Sequence, residues 1–485
     1  MKEKAIADGS SLEKLESDAR PVEEAVPASL DKASAHRIVW GLAWPVIALN
    51  SLQLINNLLD AKFIGSLGKD ALSASGAAFG LVFLMSSVAI AIGTATTALV
   101  SRFYGAREDL NLFHSSRQCI SLSLCLGILL AITGWISSPL LASLFIKDTG
   151  SPAYHQLLEY LGPLWLGIPP MYVVFTIASA LRGVGDTKRP MYVSGFQILL
   201  HIFLNYLLIF PSRDVSLLGM SFRIPGANWG IAGAGWGFAI SAWVAAILYF
   251  PASRTTPLGE IWRMEMIRLE WLKRIYRVAA PAGIAALIRV LSLNFFSLAL
   301  SRTVEGPAAL GALRVGFAME GIAFMPTFGY MAAASALVGQ SLGMKDEERA
   351  EKLAWSATQQ AEVIMVVMSL FFILFAQPLA SFFVKDPLQL KLSTDYLIII
   401  ALTEPFFGYT MVLAGAHQGA GDTVRPAWIA FISLWLLRVP AAWIFAVWMG
   451  FGTVAAWWVM SITQGIQGIS MIISFKQGKW KKKEV

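Results

Sequence analysis

Twelve times along this chain a run of about twenty or more mostly apolar residues is closed by a short polar break, and that alternation leaves few folds open. The runs lie at about 38–63, 71–100, 118–146, 157–181, 191–210 and 230–251, then 278–301, 309–338, 359–384, 393–417, 427–449 and 453–474. Each holds the roughly 20 residues that a helix needs to cross bilayer hydrocarbon. None alternates apolar and polar residues as barrel strands do, so an all-α integral membrane protein with twelve transmembrane helices is expected. Composition agrees: 56% of the 485 residues are apolar and 14% are charged, against roughly a quarter charged in a soluble domain. With a mean hydropathy of +0.61, a soluble enzyme and a disordered chain are both excluded.

The net charge of +7 reads as asymmetry across a membrane, with no nucleic acid as partner. With both termini on one side, 27 of the 38 Lys and Arg fall on that side, 8 on the other and 3 within spans. The positive-inside rule then makes the basic side cytoplasmic and points to the cell (inner) membrane. Residues 1–37 are polar and mixed in charge, with no apolar block of the kind a secretory signal carries, and are expected to be a disordered cytoplasmic head. Residues 475–485, with Lys476, Lys479, Lys481, Lys482 and Lys483, form a basic cytoplasmic tail suited to an anionic leaflet. Cys119 and Cys125 match no metal or redox spacing and are read as core residues.

The chain repeats itself. Gly183-Val-Gly-Asp-Thr-Lys-Arg-Pro190 returns as Gly419-Ala-Gly-Asp-Thr-Val-Arg-Pro426, 236 residues later, and the same offset carries Pro45 onto Pro281, Tyr160 onto Tyr396 and Pro169 onto Pro405. An offset of six spans gives two parallel six-helix repeats with a cavity between them, a transporter architecture. The expected units are an N-lobe at 38–251, a cytoplasmic linker at 252–277 and a C-lobe at 278–474. In the repeated block, Gly183, Gly185 and Asp186, like Gly419, Gly421 and Asp422, are read as conformational corners: glycines end one helix and Asp caps the next. No Gly-x-x-x-x-Gly-Lys-[Ser/Thr], His-Glu-x-x-His or nucleophile elbow occurs, so neither an ATP-driven pump nor an enzyme is expected, and no cofactor or metal is called for.

A charge deep in a span costs several kcal/mol on insertion scales of about 2.5–3.5 per residue, so each one needs a reason. Asp60 follows Gln53, Asn56 and Asn57 at helical spacing, giving one polar stripe. A carboxylate there can exchange a proton or hold a cation, and the alternative is a span-end Asp facing outward. His201 and Asn205 lie one turn apart on one face; His201 is either a proton-linked group or a neutral core histidine. Glu320, Glu404 and Arg438, with Arg289 nearby in the same half, form a C-lobe network in which Arg438 can neutralise one carboxylate. That network is either functional or a structural brace.

These features together resemble the multidrug and toxic compound extrusion (MATE) family over roughly residues 38–474, in its DinF-like branch. The resemblance rests on Trp44-Pro45 with Leu59-Asp60-Ala-Lys-Phe-Ile-Gly65, the two Gly-x-Gly-Asp-Thr-x-Arg-Pro corners, Glu320-Gly-Ile-Ala-Phe-Met-Pro326, Leu337-Val-Gly-Gln-x-Leu-Gly343 and Glu404-Pro405-Phe406. It implies a two-lobed antiporter exporting organic, often cationic, compounds against inward sodium or protons, with Asp60 matching the first-helix carboxylate of ion coupling. The family commonly has Asn and Asp where this chain has His201 and Asn205, and a hydroxyl near Phe238; losing hard oxygen ligands favours protons over sodium. Arg289 stands where sodium-coupled relatives of another branch carry Glu. The expected function is therefore proton-driven export of small organic, cationic or amphipathic, molecules by a monomer in the lipid bilayer. A sodium-coupled exporter and a flippase for a lipid-linked precursor are the alternatives.

Overall fold

The computed structural model describes residues 31–217 and 220–483, so most of the expected head and the last two residues of the tail lie outside the described part. The first half comprises α1 (Lys32–Gly65), α2 (Lys69–Ala106), α3 (Asp109–Phe145), α4 (Pro152–Gly183), α5 (Lys188–Ile209) and α6 (Gly230–Arg254). The second comprises α7 (Leu269–Ser301), α8 (Gly306–Gly343), α9 (Glu347–Phe383), α10 (Pro387–Ala401), α11 (Glu404–Gly419), α12 (Val424–Trp448) and α13 (Gly452–Lys476). Among the described residues, ten helices are long and apolar enough to cross a membrane, and α10 with α11 make an eleventh crossing bent by 56°. The twelfth, α13, has the length, 25 residues, but Gln464 and Gln467 lower its hydropathy.

Several boundaries differ from the sequence reading. Asp31 accepts the Ser34 N–H at 3.0 Å and starts α1 inside the expected head. The linker contracts to the residues between Arg254 and Leu269 because α6 and α7 run beyond the apolar segments. A two-stranded antiparallel hairpin, β1 (Pro211–Leu217) with β2 (Met220–Ala227), joins α5 to α6 and is the one sheet among the described residues.

The expected single span at 393–417 is broken because Pro405 cannot donate to Ala401. The freed carbonyls find other donors, as they must away from water: Ser369 Oγ bonds Ala401 O at 2.5 Å and Ser461 Oγ bonds Ile399 O at 2.9 Å. In α12, two seven-residue π-helical stretches, Ile432–Arg438 and Ala442–Trp448, flank Val439–Ala441.

The two corners are built alike. Gly185 and Gly421 have φ of 89° and 80°, a conformation that glycine reaches without strain. Asp186 N–H bonds Leu181 O at 2.9 Å and Asp422 N–H bonds His417 O at 2.8 Å. Each Asp carboxylate then pairs with the Arg three residues on, Arg189 or Arg425. Gly183 and Gly419 instead allow close approach: a Cβ would press on Val100 of α2 in one half and on the Ser335 carbonyl of α8 in the other.

Both described chain ends lie at one face of the bundle, here the terminal face: Ala35, Leu342, Ala350 and Trp480 share one buried cluster. There the halves interlock. The first turns of α1 (Ala35, Val39, Ala43) pack among α8 and α9, while the first turns of α7 (Trp271, Ile275, Val278) pack among α2, α3, α4 and α6. Gln340 Nε2 bonds Gly183 O at 2.8 Å, Gln360 Nε2 bonds His36 O at 3.2 Å and Arg102 Nη2 bonds Lys483 O at 3.1 Å. Gly339 and Gly343 of α8 lie so close to Ser101 and Arg102 of α2 that a Cβ on either would collide. Small residues at a helix crossing are what tight contact between membrane helices requires.

Toward the opposite face the contact ends. Gly329 of α8 faces Ala43 and Ile47 of α1, and the same helix face runs outward through Ile322, Ala318 and Arg314, all exposed. On α1 the face that begins at Ala43 and Ile47 continues to exposed Asn57, Leu58 and Ala61. A methyl group at Gly283 of α7 would stand 3.4 Å from the Ala91 Cβ of α2, and beyond that contact Leu287, Asn294 and Leu298 are exposed. The halves thus meet at the terminal face and part into a cleft toward the other.

Candidate functional site

The polar stripe of α1 divides between two surroundings. Gln53 and Asn57 are exposed and bond one another, Nε2 to Oδ1, at 3.1 Å. Asn56 and Asp60 turn toward α5 and meet His201 and Asn205, which are buried. Asn205 Nδ2 donates to Asp60 Oδ1 at 2.6 Å and stands 3.1 Å from His201 Nε2; His201 Nδ1 stands 3.1 Å from Asn56 Oδ1 and 3.9 Å from Asp60 Oδ2.

These contacts assign the imidazole tautomer. An amide Nδ2 can only donate, so His201 Nε2 accepts and carries no proton. Nδ1–H then donates to Asn56 Oδ1, leaving a neutral ring. The short, charge-assisted bond to Asp60 is the strong member of the chain. Phe238 of α6 closes one side, its ring 6.4 Å from the imidazole at 80°. Asn205 Oδ1 is buried without a partner and lies against Gly237, where a Cβ would collide with it. The Asp60 side chain keeps 26% exposure, so the cluster is reachable.

The C-half charges are arranged differently from the sequence expectation. Glu320 and Glu404 are enclosed, at 1% and 0% exposure, and close enough to interact as charges. Arg438 lies near enough to Glu320 to interact as a charge but forms no direct ion pair with either acid among the described residues: its Nε bonds Thr463 Oγ1 at 2.9 Å and its Nη2 bonds Met460 O at 3.3 Å. Two neutral acceptors on α13, the Thr463 hydroxyl and the Met460 carbonyl, take the guanidinium N–H groups. Glu320 accepts from Tyr396 Oη at 3.0 Å, and both Glu404 oxygens lack partners. Arg289 does not join them; it reaches Ala285 O at 3.4 Å and the Met411 sulfur at 3.6 Å.

Tyr396 was visible in the sequence only as the repeat partner of Tyr160, and its bond to Glu320 depends on α8 crossing α10. Gln340 lies inside the motif that runs from Leu337 to Gly343, yet its reach to Gly183 O across the halves has no local signal. In the linker, Glu265 accepts from Arg117 Nη1 at 2.9 Å, lies 2.9 Å from His114 Nδ1 and receives Gln118 Nε2 at 3.4 Å. Burial opposes its charge, but these hydrogen bonds outweigh burial and hold its carboxyl below the usual glutamate range.

Comparison with known proteins matches residues 45–207 and 281–444 to the family described as MatE, one match in each half. The chain is 27% identical over 457 residues to a probable multidrug resistance protein NorM of Thermotoga maritima, covering 92% of this chain and 93% of that protein. It is 24% identical over 445 residues to the probable multidrug resistance protein YoeA of Bacillus subtilis, covering 91% and 93%. Among solved structures, the bent form of the Vibrio cholerae MATE transporter VcmN superposes with a TM-score of 0.82 at 19% identity, over 92% of this chain and 97% of that one.

Proposed function

From the premise that this chain belongs to the MatE family, and is therefore a multi-pass membrane transporter of small molecules and not an enzyme, we propose that it exports amphipathic organic compounds in exchange for protons. The observation that carries the coupling reading is the 2.6 Å bond from Asn205 to Asp60.

When Asp60 is charged, that bond is charge-assisted and ties α1 to α5. A proton arriving at Asp60 removes the charge and weakens the tie. The neutral His201 ring then loses a fixed amide donor, and α1 is freed to repack. Coupling requires that proton affinity at Asp60 differ between the two conformations, because a ligand shifts an equilibrium only by its differential affinity. The surroundings favour a proton over sodium: the groups nearest the carboxylate are an amide N–H and an imidazole, whereas a hard cation wants several oxygens.

The terminal face is read as cytoplasmic, from the excess of Lys and Arg there. The described arrangement, closed at that face and open at the other, is then the outward-facing state that receives protons and releases substrate. Glu320 and Glu404 serve in this account as a second buried acidic pair, with α8 tied to the broken α10–α11 span by the Tyr396 hydroxyl that donates to Glu320.

Reconstitution in liposomes with separately imposed gradients tests the proposal. A pH gradient without sodium drives export of a fluorescent amphipathic substrate. Export driven by a sodium gradient at equal pH, and by no pH gradient, transfers the role to sodium.

A further inference from the structure

Arg314 stands eight residues into α8, about 12 Å along the helix axis. It is exposed and makes no hydrogen bond or ion pair among the described residues. Its helix face is the one that meets α1 at Gly329 nearer the terminal face, so its side chain belongs to the cleft wall and not to the C-half interior, where Glu320 points on the other side of α8. Around it on that face are apolar Leu310, Ala318 and Ile322.

The candidate acids do not answer it. Asp60 is held by Asn205, Glu305 accepts from Thr453, and Glu320 and Glu404 are enclosed. Asp70, in the first turn of α2, forms no pair with it. The other two span arginines are turned inward, Arg289 to Met411 and Arg438 to Thr463. The cleft therefore presents one free guanidinium set in apolar surface among the described residues, and guanidinium is the side chain whose paired N–H groups match two oxygens of an oxyanion such as a carboxylate or phosphate.

We propose that Arg314 is a specificity-determining residue that contacts an anionic group of the substrate, a carboxylate, sulfonate or phosphate, while Leu310 and Ile322 receive the adjoining apolar part. This rests on the transporter reading and names the substrate class within it: amphipathic anions or zwitterions, in place of simple organic cations. The guanidinium also disfavours a bare cation in the same position, which adds discrimination by repulsion.

The test uses the full chain in liposomes with an imposed pH gradient and two probes, carboxyfluorescein as the anion and ethidium as the cation. Wild type is expected to transport carboxyfluorescein. Arg314→Ala and Arg314→Glu should raise the ratio of the carboxyfluorescein KM to the ethidium KM at least tenfold, and Arg314→Lys should restore it to within about threefold. An unchanged ratio in Arg314→Glu overturns the inference. So does an equal fall for both dyes in all three variants, which marks a structural arginine. Wild type that moves ethidium but not carboxyfluorescein overturns it while leaving the transporter reading intact; a protein that moves neither under either ion gradient overturns both.

Discussion

Asn205 Nδ2 stands 2.6 Å from Asp60 Oδ1 and 3.1 Å from His201 Nε2, so one amide joins the carboxylate and the imidazole of this cluster and ties α5 to α1. Replacing it with Leu removes the donor and leaves a part-buried carboxylate without its partner. Loss of such a bond costs about 1–3 kcal/mol. Asn205→Leu should therefore melt earlier in detergent and lose most proton-driven transport, whereas Asn205→Gln, which retains an amide, should keep more of both.

Gly237 is the floor on which the Asn205 amide rests, since a Cβ there collides with Asn205 Oδ1. Gly237→Ser, which brings both bulk and a hydroxyl, should push the Asn205 side chain away from Asp60. The expected result is at least a tenfold fall in proton-driven transport with the helix content unchanged by circular dichroism.

At the terminal face, Gly343 of α8 lies against the backbone of α2 at Arg102 and Ala106. Gly343→Val cannot keep that contact, so the closed terminal face should become less populated. A single cysteine introduced at Ser101, buried there at 0% exposure, should react faster with a water-soluble maleimide in the Gly343→Val background than without it. The tail takes part in the same closure: Trp480 stacks on Phe475 at 4.6 Å, Lys481 pairs with Glu351 at 2.7 Å, and Lys483 O accepts from Arg102.

Glu265 gives a pH dependence outside the membrane. Its carboxyl is held below the ordinary glutamate value of 4.5, so its contribution to stability is present in full above that value and is lost as pH falls through the lowered one. Wild type should melt above Glu265→Gln at neutral pH. The gap should close in acid below pH 4.5, and high salt should narrow it less than it would an exposed pair, since Arg117 keeps only 13% exposure.

Much of this arrangement was legible in the residues. Apolar run length revealed the spans, and the pair of Gly-x-Gly-Asp-Thr blocks revealed the duplication, because an identical corner needs the same glycine conformation and the same Asp–Arg pair each time. Helical spacing brought Asn56 to the same stripe as Asp60, and His201 to the same face as Asn205. What was hidden depends on contacts between distant segments. Spacing alone placed Gln53 and Asn57 with Asp60, but the packing of α5 takes Asn56 and Asp60 and leaves the other two exposed. Charge counting paired Arg438 with Glu320 or Glu404; Glu320 does lie within reach of its charge, but the hydrogen bonds of the guanidinium go to Thr463 and the Met460 carbonyl on α13, which no local signal foretells. The break at Leu402 and Thr403 follows from Pro405, yet Pro169 and Pro170 sit within unbroken α4, where Trp243 Nε1 bonds the Leu166 O that Pro170 frees; nothing in the local sequence separates the two cases.

The central claim, that Asp60 carries the transported proton, is tested most directly by measuring proton uptake during substrate export from liposomes loaded with a pH-sensitive dye, in wild type and Asp60→Asn, with sodium absent. The account predicts substrate-dependent proton movement in wild type and none in Asp60→Asn, with the variant still folded and still binding substrate. Proton movement of wild-type size in Asp60→Asn would contradict it.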